Sequence, residues 1–349
     1  MKKAFFINLF AVIAFIFTAV PGSMAAKPIE MVIAHHFPNS ISNNEVHLSM
    51  LRFKEQVEAG TNGGIIVKIF PNMTLGTEVE YTKEVQVGQT IQAAVMSQGA
   101  YSSFYKPFMI MSSPFLFKDF NVAWKFMEGE WFQTFMDNAR KETGMRYLGS
   151  FDDGGGFNAF TNNKKLIKTV DDMKGLRIRV EENPAHAAII NATGATAVAL
   201  EWSQVETTLS TGVADGQANA PGLNAAMKFW ELCDYSTYAG YMYYILNFVV
   251  NDKWYSNLSP EYQKVITRAA NEAVAIGHGN AARLTLQGWE QAKKEFKDTY
   301  LPTPAEKDGF AQKMVPAFKK WYTEDLKGDT ALLESLYDEV AKFHKEMGY

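Results

Sequence analysis

Within Asp171–Val180, DDMKGLRIRV, two arginines stand two residues apart on a short apolar stretch. The Lys174-Gly175 turn feeds a predicted strand over Leu176–Val180. Strand side chains alternate faces, so Arg177 and Arg179 share one face while Leu176, Ile178 and Val180 share the other. A guanidinium held on a strand suits a carboxylate, because its planar fork offers two parallel charge-assisted hydrogen bonds. An isolated R-x-R is more often a pair of solvated or salt-bridged surface residues. The rest of the chain has to decide between the two. The companion segment is TGVADGQANAPG at Thr211–Gly222, where a strand near Gln217 leads through Asn219 into a Pro-Gly turn.

Other chemistry finds little footing. No H-E-x-x-H, paired C-x-x-C or P-loop occurs. His35 and His36 are adjacent, so on a strand they face opposite ways and cannot share a metal; they read as cleft or core histidines. DDGGGF at Asp152–Phe157 reads as a glycine-rich turn, without the spacing of a dinucleotide fingerprint and with too few oxygens for a calcium loop. Cys233 is the only cysteine, which reads as a buried structural thiol and forbids an internal disulfide. No catalytic residue, metal site or cofactor is expected.

The formal net charge of −4 comes without a basic run, which argues against nucleic acid or an anionic membrane as partner. At the N-terminus, Lys2 and Lys3 precede an apolar run over Ala4–Val20, a Pro21-Gly22 break and the small-x-small site Ser23-Met24-Ala25. That is the pattern of a secretory signal peptide, 1–25, cut before Ala26. The remaining residues, about 320, suffice for two domains of ordinary size.

The elements that must position the arginines alternate in type. Ile29–His35, Ile65–Phe70 and Ile91–Met96 read as strands, separated by helices over Asn43–Glu58 and Thr77–Val87. This order implies a mainly parallel sheet covered on both faces. A second series follows: strands at Arg146–Phe151, Phe157–Thr161 and Leu176–Val180, a helix from Pro184, a strand at Thr196–Leu200, a helix from Ser203 and a strand near Gln217. Tyr244–Val250 is an apolar strand able to cross back into the first sheet. Ser259-Pro260-Glu261 starts a helix whose pattern runs toward Asp298, long enough to span two domains. A last helix covers Thr330–Glu346. Two α/β units joined by more than one crossing favour a ligand cleft between them.

In this order and spacing, several segments together resemble one family: AHHFPNS, FPNMTLGTEVEYTKEVQVG, SSPFLFKD, TNNKK, DDMKGLRIRV, ATGATAVALEWSQVETTLSTGVADGQANAPG and DKWYSNLSPEYQ. The chain resembles the solute-binding proteins of tripartite ATP-independent periplasmic (TRAP) transporters, of the C4-dicarboxylate-binding type. The resemblance implies an α/β, two-domain periplasmic binding protein fold with a central ligand cleft, crossing hinge strands and a long domain-spanning helix. Domain I would comprise 26–153 plus about 245–280, and domain II 154–244 plus about 300–349, with the long helix at about 259–298.

By motif match, Arg179 is the carboxylate-binding arginine, Asn219 helps orient the carboxylate, and Trp202 walls the pocket. Ser97 is a polar cleft position of the first domain, and Tyr241 and Tyr244 approach from the crossing strand. His36 is counted with the cleft residues. Many acid-binding members carry an arginine in a G-F-R-x-F-T-N strand; here GFNAFTN places Asn158 there, which favours a monocarboxylate over a diacid. Glu181 replaces a proline common after the arginine strand and, with Glu182, reads either as a partner for a ligand amine or as a solvated strand end, the latter preferred. The implied partners are a small organic carboxylate and the permease's membrane subunits. The protein would work as a periplasmic monomer that closes on its ligand. The rival readings are an exported enzyme acting on organic acids and a ligand-sensing subunit of a signalling system.

Overall fold

The computed structural model describes residues 27–42 and 44–349; the expected signal peptide lies outside the described residues. Eleven strands form two sheets among the described residues. They are β1 (Ile29–His35), β2 (Ile65–Phe70), β3 (Ala93–Met96), β4 (Met145–Phe157), β5 (Ala159–Asn162), β6 (Arg177–Val180), β7 (Thr196–Ala199), β8 (Gly216–Asn219), β9 (Tyr235–Thr237), β10 (Tyr243–Asn251) and β11 (Asp298–Tyr300). The first sheet runs β2-β1-β3-β10-β4 and the second β11-β9-β5-β8-β6-β7.

In the first sheet β1 pairs in parallel with β2 and β3, while β10 runs antiparallel between β3 and β4. Strand β10, read as YYILNFVVN, is buried at every position, as expected of a central strand covered on both faces. The helix Glu45–Gly60 starts at Asn44, whose side chain accepts from His47 N–H, and the helix Glu78–Val87 starts on a full capping box between Thr77 and Glu80.

Two expectations change. Arg146–Phe151 does not open the second sheet; it is part of β4, at the edge of the first. The DDGGG segment is not a free turn either. It lies inside β4, where the pairing with β10 shifts register between Tyr243 and Ile245. Gly155 has φ +121 and a Cβ there would stand 2.0 Å from Thr285 Oγ1, so no other residue fits this bend.

In the second sheet β6 lies between β7 and β8, parallel to both, with Arg179 opposite Val198 and Gln217. The expected helix from Ser203 is a 3-10 turn over Trp202–Gln204 continuing into Val205–Ser210. The long helix is Pro260–Glu295, capped by Ser259. It packs on the helix Glu45–Gly60 and β4 at one side and on the helix Pro221–Ala226 at the other. The helix Pro304–Lys320 packs on Pro184–Asn191, and Thr330–Glu346 packs on Phe120–Glu128. No helix among the described residues is long and apolar enough to cross a membrane.

Candidate ligand-binding site

Strand β3 ends at Met96 and β6 at Val180, and the residues directly following each, Ser97 and Glu181, face a common cavity of about 60 Å³. Its wall on the first side is Met73, Thr77, Glu78, Val79, Ser97, Gly99, Ala100 and Ser103; on the second it is Arg179, Glu181, Glu182, Glu201, Trp202 and Ser203. The site therefore sits outside strand ends and between two sheets, as is usual for α/β ligand clefts.

Arg179 is only 2 % exposed. Its Nε and Nη2 both donate to the Leu200 carbonyl, at 3.1 and 2.6 Å, and no carboxylate of the described residues pairs with it within salt-bridge distance. Its Cζ is 5.9 Å from the centroid of Trp202, so the indole lies beside the cation. Burial pulls the guanidinium pKa down, and the nearby Glu181, Tyr244, Glu78 and Asp153 act the other way. Arg177, on the same strand face but further from the cleft, is 45 % exposed and binds Asp215 through Nε and Nη2 at 3.1 and 2.7 Å. The two arginines have separate jobs.

On the first side the helix Glu78–Val87 delivers Glu78 from its first turn. Ser97 donates to it twice, from N–H at 2.8 Å and from Oγ at 3.1 Å. His36 Nδ1 stands 3.0 Å from Glu78 Oε1. Burial works against both charges, but each partner outweighs it for the other: His36 is raised above its ordinary pKa and Glu78 held below its own. Ser97 also caps the helix Gln98–Phe104 by accepting from Ala100 N–H.

Glu181 crosses between the sides. It follows Arg179 by two residues, and its Oε2 accepts from Gly99 N–H at 3.2 Å. Burial, with Asp153 and Glu78 nearby, pushes its carboxyl up to about 8 despite Arg179 and His36. Asp153, behind the site at 5 % exposure, is raised to about 6 by burial, and its Oδ1 has no partner. A second bridge between the sides runs through Ser112 Oγ, which accepts from Gln98 Nε2 at 2.8 Å and from Asn183 Nδ2 at 3.2 Å.

Of the residues expected from sequence, Arg179, Trp202 and Ser97 line the cavity, and His36 touches it through Glu78. The other four are buried elsewhere in the fold. Asn219 Nδ2 donates to Gln217 Oε1, and its own carbonyl accepts from Asn224 Nδ2 at 3.0 Å. Asn158 Oδ1 accepts from Met242 N–H at 3.2 Å, leaving Nδ2 without a partner. Tyr241 stacks on Phe160 at 4.7 Å, and Tyr244 meets His186 edge-on at 5.3 Å. None of these four lines the cavity. Glu78 and Asp153 were missed, and Glu181 was read as solvated. A signal for Glu181 existed, since the strand alternation that pairs Arg177 with Arg179 also puts Glu181 on their face.

The chain matches the family model for bacterial extracellular solute-binding proteins, family 7, over residues 38–325. It is 25% identical over 297 residues to the 2,3-diketo-L-gulonate-binding periplasmic protein YiaO of Escherichia coli K12, covering 84% of this chain and 88% of that one. It is 28% identical over 255 residues to the ectoine/5-hydroxyectoine-binding periplasmic protein UehA of Ruegeria pomeroyi, covering 72% and 74%. A TRAP periplasmic solute-binding protein from Shewanella oneidensis, solved with bound succinate, superposes with a TM-score of 0.81 at 26% identity, over 90% of this chain and 100% of that one. With the match spanning most of its length and the same fold in the solved relative, this chain belongs to the bacterial extracellular solute-binding proteins of family 7.

Proposed function

We propose that the protein, exported after loss of residues 1–25, captures a small organic carboxylate between its two units and presents the closed complex, as a monomer, to a TRAP permease. The observation that carries this reading is Arg179, a buried guanidinium on the cavity wall whose partner is one backbone carbonyl. A buried cation of this kind is stabilised by a bidentate anion, and the fork geometry selects carboxylate. The named ligands of relatives include succinate and 2,3-diketo-L-gulonate, which are both carboxylates, as well as ectoine. They agree on the class and differ in everything beyond it.

In the proposed mechanism the ligand carboxylate docks on Arg179 from the open cleft. Trp202 covers it from the side, and the Ser97 and Gly99 region of the first unit closes over it. Closure removes water and strengthens the ion pair in the lower local dielectric. The test is a thermal-shift screen of carboxylates, followed by calorimetry on the best binder with wild type and Arg179→Ala. The expected loss is about 3 kcal/mol, on the order of a hundredfold in Kd, with the fold retained. Equal affinities would overturn the reading.

A further inference from the structure

We propose that the ligand carries a cationic nitrogen as well as its carboxylate, and that Glu181 holds this nitrogen while the carboxylate meets Arg179. The inference rests on the carboxylate reading of Arg179 and adds a second recognition element to the same site.

Four carboxylates line the cavity, Glu78, Glu181, Glu182 and Glu201, against a single guanidinium. Asp153, buried behind them with an unpartnered Oδ1, adds to the field that Arg179, His36, Glu78 and Glu181 share. Within this group His36 is committed to Glu78 at 3.0 Å. Once the ligand carboxylate takes Arg179, and with His36 held by Glu78, the carboxyls of Glu181, Glu182 and Glu201 have no Lys or Arg partner among the described residues. A plain monoacid would leave these carboxyls without a partner, and the second carboxylate of a diacid would meet them with no cation beside it, which is costly. A zwitterion reverses the sign of that term: its anionic end meets Arg179 and its cationic end meets the acids. Trp202 presents an aromatic wall on the Arg179 side that tolerates a cation as well.

Glu181 is the group this idea depends on most. Gly99 N–H binds its Oε2 at 3.2 Å, which leaves Oε1 free for the ligand. The groups facing it are Asp153, Glu78, Arg179 and His36, with His186 Nδ1 at 3.7 Å. His186 itself is pushed down to about 3 by burial and by Arg179, so it is neutral and does not compensate Glu181. Without a cation Glu181 holds a proton up to about pH 8. An ammonium or amidinium arriving beside it displaces that proton, so binding releases a proton and tightens as pH rises from 6 to 8. A neutral hydroxyl would instead use the protonated carboxyl as donor and bind more weakly as pH rises.

The experiment uses the mature chain and a matched panel: three- to six-carbon carboxylates, each unsubstituted, hydroxylated and amino- or amidino-substituted at the same position. Calorimetry in phosphate and in Tris at pH 6, 7 and 8 reads affinity and proton release together. The expected result is that the best binders are the nitrogen-bearing members, that their affinity rises at least severalfold from pH 6 to 8 with proton release, and that Glu181→Gln weakens them tenfold or more while removing the pH dependence. If hydroxy or unsubstituted acids bind best through Arg179, or if Glu181→Gln leaves the amino compounds unaffected, this inference is wrong and the carboxylate reading stands. If no carboxylate binds, or Arg179→Ala binds the panel as wild type does, the carboxylate reading fails and this inference falls with it.

Discussion

Arg177 and Arg179 share a strand face and differ in what surrounds them. Arg177 reaches solvent and closes on Asp215, while Arg179 is buried at the strand end that points into the cleft. The Arg177–Asp215 pair is exposed on one side only: the Asp215 side chain is 6 % exposed and takes two side-chain hydrogen bonds from Arg177, so it would be left without its bidentate partner if Arg177 were removed. Arg177→Ala should therefore leave ligand affinity unchanged but lower the melting temperature, as checked by calorimetry and thermal denaturation beside Arg179→Ala. A large loss of affinity on changing Arg177 would contradict the assignment. The choice between the arginines was legible only through family resemblance, since alternation treats them alike. Glu181 was legible by alternation and misjudged, because its neighbour Gly99 is 82 residues away in sequence and only the closed fold brings them together. The motif match assigns Asn158, Asn219 and Tyr241 to the ligand site; all three are buried, and none lines the cavity.

At the scale of elements, the long helix Pro260–Glu295 packs on Glu45–Gly60 and β4 and also on Pro221–Ala226, and its glycines show how closely. A Cβ on Gly288 would stand 2.3 Å from the Pro221 carbonyl oxygen, a backbone atom that cannot swing away. A Cβ on Gly279 would meet nothing within 4 Å. Alanine in a helix normally gains up to about 1 kcal/mol over glycine. Gly279→Ala should accordingly raise stability by up to about 1 kcal/mol, whereas Gly288→Ala should lower it, with urea unfolding as the readout. Two stabilised variants would show that the helix does not pack closely on Pro221. The existence and face of this helix were readable from its period and its Ser-Pro-Glu start. The role of Gly288 was not, because its partner Pro221 opens a short helix whose position depends on β8 of the second sheet. The same limit applies to β4: its first half carries a plain apolar strand pattern, and only pairing with β10 assigns it to the first sheet.

At the scale of the whole molecule, the buried acids make stability pH-dependent in a definite direction. Burial raises Glu45 and Glu181 to about 8 and Asp152 to about 7. A carboxyl whose folded pKa is raised contributes stability below its unfolded pKa and loses it as pH climbs through the folded value. Buried histidines act oppositely: His35 and His186, lowered to about 3, favour the fold above their unfolded pKa and cost stability as pH falls. Above pH 6.5 these two histidines no longer contribute to the slope, and His36, raised beside Glu78, adds to the decline, so the ligand-free protein should lose stability from pH 6.5 to 8.5. Urea unfolding across that window should show the decline, and Glu45→Gln should flatten it; a rising or level profile in wild type would contradict these burials. The closed cleft itself is tested most directly by a crystal structure with the tightest-binding carboxylate from the screen. The account predicts both carboxylate oxygens within about 2.7–2.9 Å of the Arg179 guanidinium, with the two units closed over them. A ligand bound in the cleft with its carboxylate away from Arg179 would contradict it.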